Sequence, residues 1–285
     1  MAHGAASQAN VSPSQVGGLE IVLPNIEQQR RIASILSTYD DLIENNTRRI
    51  AILEEMARRI YEEWFVHFRF PLHEQVKMVE SEFGVIPEGW KITSLGEAFN
   101  IVLGGTPSRN KSEYWDQGTI PWINSGKVND LRITTPSEYI TDLGLKKSAA
   151  KLMPAATTVI AITGATLGQV SYLCTEMSAN QSVVGVFDAS GKYSEYIYRL
   201  IQNRIMAIIQ HASGGAQQHI NKEIVNDVVL VLPPDDVLSL FNNTALPIGE
   251  LINTLLHKNA NLRTTRDLLL PKLVSGELDV SEIAA

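Results

Sequence analysis

The sequence predicts an α+β fold: one compact α/β domain plus two long helices forming an antiparallel coiled coil. Three observations predict it. The chain matches itself without gaps at an offset of 209 residues, and such a repeat organises every later assignment. In both copies apolar residues recur alternately three and four apart, the 3.5-residue spacing of a coiled-coil seam. Between the copies this gives way to short apolar runs punctuated by Gly, Pro and Asn, which read as strands and turns.

In the repeat, Gln8 falls on Gln217 and Val11 on Ile220. Ile21-Val22-Leu23-Pro24 falls on Leu230-Val231-Leu232-Pro233, Leu42-Ile43 on Leu251-Ile252, and Leu53 on Leu262. Each copy passes from a Gly/Ser/Gln-rich turn through a short β-like run ending in Leu-Pro and into a helical pattern. The shared Leu-Pro step precedes the helix, so similarity between two amphipathic helices does not account for it.

The first helical seam is Ile32, Leu36, Tyr39, Ile43, Asn46, Ile50, Leu53, Ala57, Ile60 and Trp64. Asn25 with Gln28 predicts a capping box at its start. The second seam is Phe241, Ala245, Ile248, Ile252, Leu255, Asn259, Leu262, Arg266, Leu269 and Leu273, with a kink expected at Pro247. Asn46 and Asn259 are polar seam residues of the kind that fix register at some loss of stability. About 40 residues at 1.5 Å each give a rod of roughly 60 Å. The first helix runs into the central region and the second runs out of it, so pairing within one chain is antiparallel. Two ordinary amphipathic helices packed on a globular core would carry part of the same pattern.

In the central region, 87–232, the runs 158–162, 168–173 and 182–187 read as strands. Tyr198, Ile201, Ile205, Ile208 and Ile209 predict a helix over about 194–211. The organisation is then 1–23, 24–68 (first helix), 69–86 (linker), 87–232 (inserted domain) and 233–285 (second helix and tail).

Composition sets the class. With 44% hydrophobic and 19% charged residues, the 285-residue chain is neither disordered by composition nor a membrane protein. No apolar run reaches 18 residues, and the first residues lack the basic and apolar parts of a signal peptide, so a soluble cytoplasmic protein is expected. Cys174 is the sole cysteine, which excludes an internal disulfide and a cysteine-clustered zinc site. The net charge of −7 argues at first against a nucleic-acid binder. Residues 1–87 carry −4 and 233–285 carry −3, however, while 88–232 hold 12 basic and 12 acidic side chains. The acidity belongs to the flanks, and the centre has room for a local basic face.

Several stretches resemble the specificity (S) subunit of type I restriction–modification systems. Ile86-Pro87-Glu88-Gly89-Trp90 resembles the start of that family's target-recognition domain. Gly104-Gly105-Thr106-Pro107-Ser108, with Tyr114-Trp115 and Ile120-Pro121-Trp122, is similar to its first strand–loop segment. Thr163-Gly164-Ala165-Thr166-Leu167-Gly168 and Asn180-Gln181 resemble its mid-domain loops, and Ser213-Gly214-Gly215-Ala216-Gln217 the turn before its last strand. Leu269-Leu270-Pro271-Lys272-Leu273 with Ser275-Gly276-Glu277-Leu278 looks like its C-terminal signature. The resemblance covers nearly the whole chain. It implies a non-catalytic subunit that reads double-stranded DNA and docks modification (methyltransferase) subunits through its coiled coil. Those subunits would supply S-adenosylmethionine, and a motor-nuclease restriction subunit would join them. Family members normally carry two recognition domains and this chain carries one. Residues 1–23 align with 210–232, so the chain resembles the C-terminal part of an S subunit, and a homodimer would restore two reading heads.

No catalytic constellation competes with this. Gly126-Lys127 lacks the upstream glycine of a P-loop, since position 121 is Pro. Leu232-Pro233-Pro234-Asp235 is not an Asn/Asp-Pro-Pro-aromatic loop. The six histidines have no metal-ligand spacing; His211 and His219 could meet around one turn, but surface or capping roles fit them better. Cys174 reads as a small core residue. No cofactor or metal site is expected.

DNA reading needs donors and acceptors at base edges, with positioning groups on phosphates. Gly105, Thr106, Ser108, Arg109 and Lys111 offer backbone, hydroxyls and cations in one loop; Asn124, Ser125 and Lys127 form a second. Thr163 and Thr166 lie in a polar turn, and Gln217, Gln218 and Lys222 follow the Gly-rich turn, where two amides suit adenine edges. Each loop also reads as a solvated turn, Lys146, Lys147 and Lys151 as a solvated basic face, and Trp115 and Trp122 as core. Leu42, Ile43, Ile50, Leu53, Ile252 and Leu262 are the candidate partner-binding residues on the helices. A coiled-coil assembly scaffold or inhibitor without DNA reading is the rival, and it needs the helices alone.

Overall fold

Asn25 caps the first long helix through the reciprocal bonds its spacing predicts. The Gln28 N–H donates to Asn25 Oδ1 at 2.9 Å and the Asn25 N–H donates to Gln28 Oε1 at 3.1 Å. The computed structural model describes residues 12–18, 23–210 and 219–280. From the N-terminus, α1 (Pro13–Gly17) precedes α2 (Ile26–Tyr61), which loosens into a π-turn at Glu62–Val66. A hairpin of β1 (Met78–Ser81) and β2 (Gly84–Pro87) follows, then β3 (Lys91–Ser94), α3 (Leu95–Ala98) and β4 (Asn100–Leu103). Next come β5 (Ile120–Ile123), β6 (Glu138–Ile140), α4 (Asp142–Lys146), β7 (Leu152–Met153), β8 (Thr158–Ala161) and β9 (Val170–Tyr172). The chain continues with β10 (Met177–Ala179), β11 (Val183–Phe187), α5 (Ser194–Ile209), α6 (Lys222–Asn226), β12 (Val229–Leu232) and α7 (Asp235–Ser275). The fold is mixed α and β, with a long helix towards each end.

The 209-residue repeat holds at the level of structure. Shifting by 209 carries α1, Pro13–Gly17, onto α6, Lys222–Asn226, and the first residue of α2, Ile26, onto the first of α7, Asp235. The π-turn ends at Val66 and α7 ends at Ser275, which is the same offset. In each copy a short helix precedes a long one, and a Leu-Pro step stands just before the long helix. Ile21 and Val22 of the first β-like run lie outside the described residues.

Two units divide the chain: 46–258, and 1–45 with 259–285. In the first of these, β3 pairs antiparallel with β12, Lys91 opposite Leu232 and Ser94 opposite Val229. The start and end of the inserted segment are thereby tied together. Inside lie two four-stranded sheets, in the orders β4-β11-β8-β9 and β6-β5-β10-β7. β5 and β10 are parallel, and the remaining pairs in both sheets are antiparallel. The period-2 alternation of a strand sends Val159, Ala161 and Val183 into a core with Ile123, Met153 and Met177 of the other sheet. Ile160, Ile162, Val184 and Val186 go the other way, against Ile197, Leu200 and Ile201 of α5. The strands predicted at 158–162, 168–173 and 182–187 and the helix at 194–211 thus form with ends trimmed by one or two residues. Within the stretch read as linker, Met78–Ser81 pairs with Gly84–Pro87.

The helical seams are used within the chain. All ten positions of each seam are buried or half-buried. In unit 46–258, Ile50 packs with Ile252 and Leu255, and Tyr61, Trp64 and Phe65 surround Phe241 at ring separations of 6.3, 5.7 and 4.9 Å. In the other unit, Asp40 pairs with Arg266, and Asn259 Nδ2 donates to the Ile43 carbonyl at 3.4 Å. In both, rising numbers on one helix meet falling numbers on the other, the antiparallel sense expected. Pro247 does not break α7, which is continuous from Asp235 to Ser275. One missing N–H costs a single ladder bond, and the packed neighbours Ala245 and Ile248 hold the helix across it.

Candidate nucleic-acid interface

The registers bring most of the candidate DNA-binding residues to one end of the two sheets. β4 leaves its sheet at Leu103, opposite Val184, and β8 leaves at Ala161, opposite Val183. In the other sheet Ile123 and Ala179 end parallel strands side by side, Trp122 faces Glu138, and Ser178 faces Leu152. The loops 104–111, 124–127, 148–151, 163–166 and 180–182 therefore share one rim. Main-chain bonds cross-link it: Gly105 N–H to Ala179 O (2.7 Å), Asn180 N–H to Ile123 O (2.9 Å) and Ile162 N–H to Ser182 O (2.9 Å). Ile220 N–H donates to Ile162 O at 3.0 Å, and Thr163 bridges His219, which brings the start of α6 to the same end.

The residues divide by what they already do. Gly105 is buried, and a Cβ there would sit 2.4 Å from the Ala149 carbonyl carbon; its carbonyl accepts from Trp122 Nε1 at 3.2 Å. Its glycine is required by packing. Thr106 Oγ1 donates to Gln181 Oε1 at 2.5 Å. The Ser108 carbonyl accepts from Trp115 Nε1 at 3.1 Å. Arg109 forks onto Glu138, Nη1 to Oε2 at 2.6 Å and Nη2 to Oε1 at 2.8 Å, with its guanidinium carbon 3.5 Å above the Trp115 ring. That hydrogen-bonded pair lowers the Glu138 pKa and raises that of Arg109. Trp122 is buried core, and Trp115 stacks under Arg109 and edge-on to Trp122.

Lys111 Nζ bonds Tyr114 Oη at 3.0 Å. Asn124 caps a 3₁₀ turn at Ser125–Asn129, with Oδ1 accepting from Lys127 N–H at 3.3 Å, while Lys127 Nζ pairs with Asp130 at 2.8 Å. Thr166 Oγ1 closes its turn onto the Thr163 carbonyl at 3.3 Å. Lys222 and Lys151 line one open groove of about 410 Å³ with Ile101, Val102, Leu103 and Leu152. Among the described residues, Lys146, Lys147, Lys151 and Lys222 have no salt-bridge partner, so these cations are available to phosphate. Gln217, Gln218 and His211 lie outside the described residues.

On the helices, Leu42 is 48% exposed, whereas Ile50 is 7% and Ile252 0% exposed, and Leu53 packs with them. Ile43 and Leu262 are half-buried. The heptad face serves the chain's own pairing, which leaves Leu42 as the open member of that set.

A buried charge network joins residues far apart in sequence. Arg132 donates Nη1 to Glu195 Oε1 (2.8 Å), Nη2 to Glu195 Oε2 (3.0 Å) and Nη1 to Asn253 Oδ1 (3.3 Å). Arg199 bonds Glu54, and the Arg132 ring of donors stacks over Tyr172 at 4.5 Å. Burial opposes the Arg132 charge, yet Glu195 and Glu54 hold its pKa above the ordinary range. Glu54 belongs to α2, Asn253 to α7, and the other members to the inserted segment, so the network ties the sheets and α5 to both helices. Its partners lie 63 to 145 residues apart; the one local signal is the i,i+4 pair Glu195 and Arg199 on an otherwise apolar helix face. Among the described residues no metal-binding cluster and no helix long and apolar enough to cross a membrane is present.

In sequence, the two sheets whose loops share one rim fall between two long helices that start 209 residues apart. The chain belongs to the family described as "Type I restriction modification DNA specificity domain", whose profile matches residues 2–55 and 87–237. It is 26% identical over 284 residues to the type I restriction enzyme MjaIX specificity subunit of Methanocaldococcus jannaschii, covering 98% of this chain and 65% of that protein. It is 23% identical over 322 residues to the HindI specificity subunit of Haemophilus influenzae, covering 92% and 70%. The chain thus spans about two thirds of the length of these relatives. The crystal structure of the type I restriction-modification S subunit from M. genitalium shares the fold, with a TM-score of 0.61 at 15% identity over 95% of this chain and 67% of that one.

Proposed function

We propose that this chain is a non-catalytic DNA sequence-specificity subunit of a type I restriction–modification complex, acting in the cytoplasm. The rim of segment 87–232 reads one half of a bipartite target in double-stranded DNA. The helical segments 24–68 and 233–285 carry that domain and present outer faces, including Leu42, to modification subunits, which a motor-nuclease restriction subunit joins. The observation that carries the reading is the convergence of five polar loops, far apart in sequence, on one end of two sheets. They offer amides and hydroxyls for base edges and unpaired lysines for phosphates, the two kinds of contact that reading requires. Two copies of the chain, paired through their helical segments, bring two rims to an interrupted palindrome. Acidic flanks suit protein contact and discourage nonspecific DNA binding.

The test is a salt titration of duplex binding, with and without the modification subunit. Affinity is expected to fall linearly on a log–log scale as lysine–phosphate contacts are screened, with a residual preference for one sequence. A joint complex without sequence preference contradicts the reading. Light scattering that gives a monomer mass at micromolar concentration, alone and with the modification subunit, contradicts the paired form.

A further inference from the structure

Arg109 is held unlike the other rim cations. Its side chain is 49% exposed and that of Glu138 44% exposed, so the pair faces solvent, yet it is anchored from three sides. The guanidinium lies 3.5 Å over Trp115; Trp115 is fixed by its bond to the Ser108 carbonyl and by edge contact with Trp122 at 5.2 Å; Trp122 is fixed in turn by Gly105. Glu138 begins β6, opposite Trp122. Glu138 therefore stands on a strand, and Arg109, in a turn of loop 104–111, is held between Trp115 and Glu138, so the arginine has little rotamer freedom left to lose on binding.

A carboxylate beside a phosphate is repelled, so a phosphate clamp would not place Glu138 here. Base edges are different. The fork onto Glu138 uses one N–H of each terminal nitrogen, which leaves Arg109 with Nε–H and an outward N–H of each terminal nitrogen. Nε–H and the outward N–H beside it run parallel and match the O6 and N7 acceptors of guanine. The carboxylate keeps spare lone pairs, and the donor nearest guanine O6 in the major groove is N4 of the paired cytosine.

We infer that Arg109 and Glu138 together read a single G·C base pair in the major groove, Arg109 on guanine and Glu138 on cytosine. Trp115 serves as the platform that orients the arginine. The inference rests on the DNA-reading role proposed above and adds the identity of one base pair and a specificity-determining residue, Glu138.

The experiment selects bound duplexes from a random pool with the full chain joined to the modification subunit and repeats the selection with Arg109→Ala, Arg109→Lys and Glu138→Gln. Thermal melts by circular dichroism check that each variant folds, and the lysine variant keeps the charge if the alanine variant does not fold. The wild type is expected to select one invariant G·C pair. Each variant is expected to relax that position alone, with the preference for G·C over other pairs falling about ten- to a hundredfold. Uniform weakening across all sequences, with a salt slope smaller by about one, would make Arg109 a phosphate contact and overturn the inference. Selection by the variants identical to that of the wild type also overturns it. If the wild type selects no sequence at all, the DNA-reading role itself fails, which is a separate outcome.

Discussion

Glu195 on α5 and Arg132, in the loop before the β6 strand, make a two-point ion pair of 2.8 and 3.0 Å with both side chains essentially inaccessible to water. Breaking such a pair leaves an uncompensated buried charge. Glu195→Ala is therefore expected to lose about 3–5 kcal/mol of unfolding free energy, whereas replacing both partners by apolar residues of similar volume costs far less. Urea denaturation of the single and double variants measures the difference; equal losses would mean that the network is not fully desolvated.

Gly249 lies under the same pair. A Cβ at this position would stand 2.0 Å from Glu195 Oε1 and 3.2 Å from Arg132 Nη1, and neither partner can swing away without losing its fork. Gly249→Ala should destabilise by about 1–3 kcal/mol through overpacking, against a helix-propensity gain of at most about 1 kcal/mol. A denaturation midpoint at or above that of the parent would contradict this close approach.

Cys174 is shielded beside the network, and burial pushes its pKa up to about 11 from the ordinary 9.0. Because burial disfavours the thiolate, the native thiol should react slowly with alkylating reagents at pH 8 and accelerate as pH approaches 11. The folded state accordingly loses stability as pH climbs through this window, since the unfolded thiol ionises first. Native reaction at pH 8 as fast as in denaturant would show that the site is open.

Asn259 is 2% exposed in the helix seam. Polar seam residues fix register at a cost in stability, so Asn259→Leu should raise the melting temperature by several degrees while leaving the circular dichroism spectrum unchanged. A lower melting temperature would mean that its bond to the Ile43 carbonyl contributes more than the register argument allows.

The two helices were legible because their signals are local and periodic: the capping box at Asn25 and the seams that follow it form as their spacing predicts. The repeat was legible because one offset orders α1 with α6 and α2 with α7. Three strands and α5 were readable for the same reason, each being an apolar run bounded by turn residues. What stayed illegible depends on pairings distant in sequence. Nothing near Arg109 points to Glu138, and nothing near Arg132 points to Glu195. Pro247 does not end α7, because its missing N–H removes a single ladder bond while seam residues on both sides stay packed. Ile50 and Ile252 were readable as apolar helix residues, but whether such a face meets its own chain or a partner is decided only by tertiary pairing. Gly105 was legible as a loop glycine, but its close approach to Ala149, which forbids a side chain there, depends on a contact distant in sequence.

If the rim chooses the DNA sequence, the bases methylated on random DNA by the complete complex assembled with this chain will report it. Methyl marks are then expected to be confined to one interrupted sequence, with the choice at one half-site altered by substitutions at Arg109 and Glu138. Marks scattered without a shared sequence, or an unchanged site when the rim loops are substituted, would contradict it.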